Sequence, residues 1–207
     1  MNAELESARD DLAYMRSLIG GGTERMLATI GEAFFWAGLI YGAQCGLHAL
    51  QVVGLAPDTG LPALAIAWVP TILFCAVLTV IIWKGRKAQE GGPSSRALGA
   101  VFQGAGLANL VMAFVFAYGA YKFETPGLWL YHPVVVCMFQ GVAWYVAWVI
   151  LRRAWLGLVA IGWFATTVGL GTVIGDGGWY LAILSVALIV LMAIPGWVIW
   201  RGAKKAP

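Results

Sequence analysis

The sequence predicts an all-α integral membrane protein: six transmembrane helices arranged as three hairpins, N-in/C-in, preceded by a short amphipathic cytoplasmic helix. Three observations predict it. The chain is 61% hydrophobic and only 11% charged, with a mean hydropathy of +0.81. Six apolar runs, each near the ~20 residues that cross a bilayer, take up most of the 207 residues. The cations fall on alternate boundaries of those runs.

Composition sets the class. Soluble domains carry about 25% charged residues, and a chain with so few cannot cover a water-facing surface. The runs leave no room for a sizeable soluble domain. The first begins near Leu27, behind a charged segment, and is too long for a signal-peptide core, so a cleavable signal is not expected. Cys45, Cys75 and Cys137 all lie in apolar runs without ligand-like spacing, which argues against a disulfide framework or a zinc site. The net charge of +3 sits at membrane boundaries and gives no reason to expect nucleic acid.

The spans are read as 27–52, 62–83, 97–120, 131–151, 155–175 and 178–200, within a bundle covering 23–207. Arg9, Arg16 and Arg25 precede the first. Lys84, Arg86, Lys87 and Arg96 join the second to the third. Arg152 and Arg153 follow the fourth, and Arg201, Lys204 and Lys205 close the chain. The three remaining connections hold only Lys122. The positive-inside rule then puts both termini in the cytoplasm, with a bacterial inner membrane the expected location. Trp83, Trp155 and Trp200 mark the inner boundary; Trp129, Tyr131, Trp179 and Tyr180 mark the outer one.

Residues 1–22 differ. Leu5, Leu12, Met15 and Ile19 recur at helical spacing among charged residues. This reads as an amphipathic helix ended by Gly20, Gly21 and Gly22. It would dock on its own bundle or on a protein partner.

Glycine concentrates in the odd spans. Gly38, Gly42 and Gly46 form one small-residue stripe, and Ala100, Gly104 and Ala108 form another. Such stripes let helix backbones approach closely. They predict odd helices at the centre and even helices toward lipid, with homo-oligomers a further use. Pro70 and Pro195 interrupt the hydrogen bonding of spans two and six.

Polar residues within spans are the candidate site. Glu32 is the one carboxylate clearly inside a span and is a candidate proton or cation site. Tyr41, Gln44, His48 and Gln51 share one face of the first helix, beside the glycine stripe, and predict an outward-facing polar cavity or interhelical hydrogen bonding. Gln103, Asn109 and Gln140 lie mid-span, with Gln103 and Gln140 as further binding candidates. His48 and His132 fall at similar depth, where a pair of imidazoles could ligate haem, but there is no CxxCH attachment motif. HExxH, GxSxG and Walker motifs are absent, so no enzyme is expected. Three functions follow in order: a small-solute or ion transporter or channel, a non-catalytic accessory or scaffold subunit of a membrane complex, and a haem- or quinone-binding redox protein. No cofactor or metal is required by the first two.

Overall fold

The computed structural model describes the backbone of residues 2–85 and 93–205, and the side chains of residues 26–84 and 96–203. The chain forms α1 (Asn2–Val52), α2 (Gly60–Gly85) and α3 (Pro93–Lys122). A short 3-10 turn (Pro126–Leu130) then leads into α4 (Tyr131–Leu151), followed by α5 (Ala154–Thr172) and α6 (Gly177–Leu188). A π-helical segment (Ile189–Ala193) joins α6 to α7 (Ile194–Lys205), so that these three run on as one span. No strand occurs among the described residues.

Six stretches are long and apolar enough to cross a membrane: Met26–Val52, Gly60–Lys84, Arg96–Lys122, Pro126–Leu151, Ala154–Thr172 and Gly177–Ala203. The fold is therefore compatible with a polytopic membrane protein. Each differs from its sequence-derived bounds by a few residues at most. The α4 stretch differs most, because Pro126–Leu130 adds a 3-10 turn ahead of it.

Two expectations need correction. Helix α1 is continuous from residue 2 to residue 52, so Gly20–Gly22 does not end it. Glycine costs a helix interior about 1 kcal/mol each relative to alanine, which weakens a helix without forbidding it. The turn that does end α1 is at Gly54, where φ is +74°. There Leu55 N–H bonds Leu50 O and Gly54 N–H bonds Gln51 O, the paired bonds of a left-handed helix stop. The side chains of Leu5, Leu12, Met15 and Ile19, and all of Arg86 and Lys87, lie outside the described residues.

The second correction concerns packing. Odd helices alone do not form the centre: spans four and six are buried as much as one and five, and span three is not. In the most apolar windows, 33% of spans one, four, five and six is buried, against 6% of span two and none of span three. The closest pairings are α4 with α5 and α1 with the α6–α7 span. Helix α2 packs on α1, and α3 packs on α4 and more lightly on α1. Sequence neighbours need not be the closest packing partners when glycine decides which backbones can meet.

The α1–span-six contact shows this. An added Cβ on Gly38 would lie 2.4 Å from Ala193 N and 2.6 Å from Leu188 O. One on Gly31 would lie 2.6 Å from Trp200 N, and one on Gly196 2.5 Å from Phe35 N. The two backbones touch along these three glycines. Without water to drive apolar groups together, this close approach is what van der Waals packing in a bilayer requires. Gly42 and Gly46 continue the strip against Ile189 and Ser185.

The core lies between α1, α3, α4, α5 and span six. Leu98, Trp144, Leu156, Trp163 and Leu170 are at most 1% exposed. Phe34, Phe102 and Trp144, from α1, α3 and α4, meet edge to face at centroid separations of 5.0, 5.3 and 5.7 Å. Each such pair contributes about 0.5–1.5 kcal/mol beyond its buried area.

Gly38→Ala and Gly196→Ala are expected to cost about 1–3 kcal/mol by forcing two backbones apart. Gly104→Ala, with no atom within 4 Å of the added carbon, is expected to stay within about 0.5 kcal/mol of the parent. Thermal unfolding in detergent checks the pair. Equal losses at Gly38 and Gly104 would contradict the assignment of the contact.

Candidate functional site

The polar face of α1 is turned toward α2, and its hydrogen bonds explain why. Proline has no N–H, so Pro70 leaves the Ile66 carbonyl, four residues back, without its helical donor. In hydrocarbon no water can replace that donor. Gln44 does: its Nε2 donates to Ile66 O at 3.2 Å and to Ala67 O at 2.9 Å. One turn along, Tyr41 meets Phe74 edge-on at 5.2 Å. Tyr41 and Gln44 therefore clip α2 to α1 around its proline.

The same solution appears at the second proline. Pro195 brings no N–H to the end of the π-helical segment at Ile189–Ala193, and Trp163 Nε1 of α5 donates to Leu191 O within that segment at 3.2 Å. Ser185 adds a bond from span six to α1, its Oγ donating to Gly42 O at 2.7 Å. Tyr180 donates its hydroxyl to Leu130 O at the start of α4.

The two histidines have separate surroundings. His48 Nδ1 pairs with Gln51 Oε1 at 2.6 Å, and Gln51 Nε2 donates to Pro57 O, fixing the end of α1 to its loop. His132 Nε2 donates to Asn109 O at 3.3 Å, and its ring stacks on Trp129 at 4.9 Å. Each thus has one ring nitrogen engaged with protein.

Of the remaining candidates, Glu32 is half-buried and has no partner among the described residues. Gln103 is exposed on α3 and likewise unpartnered. Gln140 is only 8% exposed, and its Oε1 has no hydrogen-bond partner. The same holds for Asn109 Oδ1 and Trp144 Nε1. Cys45 packs against the core that contains Cys137 and Tyr180. Cys45, Cys75 and Cys137 are free thiols.

Tyr41 and Gln44 of the stripe are thus brought together with α2, and His48 and Gln51 with each other and the loop before it; none of these bonds involves Glu32, Gln103 or Gln140. Two surface grooves of about 380 and 370 Å³ lie apart from the stripe, both open outward. One is apolar and lined by Thr166, Trp179, Ile183 and Leu191 among others; the second lies at Trp148 and Arg152. Among the described residues, no group of three or more His, Cys, Asp or Glu is placed to hold a metal ion. Trp163, Tyr180 and Ser185 carry polar duties that their sequence context does not mark. A usable signal exists for Trp163: a proline inside a span demands an outside donor, and a mid-span indole is one of few groups that can supply it.

Six helices of this length and polarity define the class as compatible with multi-pass membrane proteins. Comparison with protein-family models, curated proteins and solved structures finds no match to this chain.

Gln44→Leu should cost about 1–3 kcal/mol, the usual penalty for orphaning a buried acceptor, and should speed amide exchange around residues 66–71. Trp163→Phe should do the same near Leu191. Hydrogen exchange by mass spectrometry reads both. Unchanged exchange in α2 of the Gln44 variant would remove the clip from the account.

Proposed function

We propose that this protein is a non-catalytic accessory subunit that docks a transmembrane helix of another membrane protein onto α3. The observation that carries this is Gln103. It lies seven residues into the Arg96–Lys122 span, about 10 Å from its start at 1.5 Å per residue. It is exposed and unpartnered, in a span with none of its apolar window buried. An amide facing hydrocarbon is costly without a hydrogen-bond partner, and lipid tails offer none. Ala100 and Gly104 lie beside it, and Gly104 has open space where a Cβ would be. Another helix bearing an amide or hydroxyl can supply both the bond and the close contact.

The stripe first expected to line a transport cavity supports this choice by its engagement elsewhere. Gln44 bonds the α2 backbone, and His48 and Gln51 bond each other and the following loop. A transport reading keeps one supporting observation, the buried unpaired oxygens of Gln140 and Asn109. Both termini are assigned to the cytoplasmic side of a cell membrane, on the cation distribution.

A photo-crosslinking residue at Leu107, 63% exposed on the same helix, should capture one membrane protein in native membranes. Gln103→Leu should reduce that capture about tenfold or more, as loss of ~1.4 kcal/mol implies. Capture of lipid only, or of a second copy of this chain only, would overturn the accessory reading. Proteoliposome flux abolished by Gln140→Leu would favour transport instead. Reporter fusions at both termini should be active only as cytoplasmic reporters; a periplasmic signal from either would reverse the orientation.

A further inference from the structure

The α3–α4 interface contains more polar chemistry than its hydrogen bonds use. Two contacts set its register. Phe102 meets Trp144 at 5.7 Å, and His132 Nε2 reaches Asn109 O at 3.3 Å. Between these anchors lies Gln140, one turn from Trp144 on the same face of α4; Asn109, two turns from Phe102 on α3, stands at the second anchor. Trp144 is fully buried and Gln140 is 8% exposed. Trp144 Nε1, a donor, has no acceptor. Gln140 Oε1 and Asn109 Oδ1, both acceptors, have no donor. Buried polar groups in folded proteins are nearly always paired, with protein or with an ordered guest.

We infer that this interface holds a water-sized hydroxylic guest that accepts from Trp144 Nε1 and donates to Gln140 Oε1. A hydroxyl is the chemical group that fits, since one oxygen must accept from the indole and donate to the amide. Water meets this need and has a second proton for another acceptor; buried waters typically make about three such bonds. A small alcohol would satisfy the indole and one acceptor. Residues i and i+4 on a helix stand about 6 Å apart at Cβ, a span that one bridging oxygen can serve. Phe34 and Phe102 also meet Trp144 edge to face. The guest does not depend on the docking role of α3, because Gln103 is on the exposed face and Asn109 on the packed one.

The sign of a stability change tests it. Gln140→Met is close to isosteric and removes the orphan acceptor. With a guest bound, that change strands Trp144 and its guest, and the melting temperature should fall by about 2–4 °C. With no guest, it removes an unsatisfied oxygen, and the melting temperature should rise. The full-length protein, labelled with ¹⁵N-tryptophan in micelles, supplies the second readout. The indole N–H resonance lost in Trp144→Phe should show a magnetisation-transfer peak to water, and Gln140→Met should abolish it. Transfer to carbon-bound protons that belong to no residue of the chain would identify an alcohol. A rise in melting temperature together with no transfer to any guest would overturn the inference. Should Trp144→Phe fail to fold, Trp144 is assigned instead by its through-space contacts to Phe34 and Phe102.

Discussion

Everything in this bundle is arranged around the contact of the α1 backbone with the backbone of span six. Gly31 and Gly38 on one side and Gly196 on the other leave no space for a methyl group. Once these helices are fixed, the remaining positions follow. α2 packs against α1, and α4 and α5 form their own close pair beside span six. α3 closes the ring by touching α4 and α1. In a bilayer the choice of first partner is made by shape, because apolar side chains gain little by leaving lipid for protein.

Within that frame, the polar side chains mostly repair backbone. Pro70 and Pro195 each withhold a backbone donor in a setting without water, and Gln44 and Trp163 each reach across from a neighbouring helix to bond a carbonyl close by. Ser185 and Tyr180 also donate to carbonyls of other elements. Hydrogen bonds of this kind average near 0.6 kcal/mol in membrane proteins, but their removal exposes an acceptor that has nowhere else to turn. The proline kinks and the polar face of α1 are therefore parts of one design, in which a break in one helix specifies which residue its neighbour must carry.

The legible part of the sequence was set by bilayer thickness and by charge. Apolar runs near ~20 residues define spans with little ambiguity, and span ends such as Val52 and Leu151 are the ones the runs imply. Packing was far less legible. Gly38-Gly42-Gly46 and Ala100-Gly104-Ala108 look alike on paper, yet the first meets span six and Gly104 of the second meets nothing. A small-residue stripe announces close approach without naming the helix that approaches. Nor does a run of three glycines at 20–22 stop a helix unless a residue there takes up the left-handed turn that Gly54 adopts. The candidate site suffered the same limit. Gln44 is recognisable as an intramembrane amide, but its role depends on lying beside Ile66, twenty-two positions away. Gln140 stands out as a mid-span amide, but Trp144 reads as an ordinary member of an apolar helix until the fold leaves its indole N–H unpaired.

The first and last spans make the tightest backbone contact, and that has a consequence for biosynthesis. A ribosome delivers span one long before span six. Gln44 waits only for the next helix before its amide is satisfied, whereas Gly31, Gly38 and Gly42 must stay uncovered until the chain is almost finished. During that interval the glycine face of α1 is open to any other helix emerging nearby. The nascent protein thus passes through a stage in which its most adhesive surface is unprotected, and the arrival of span six ends it.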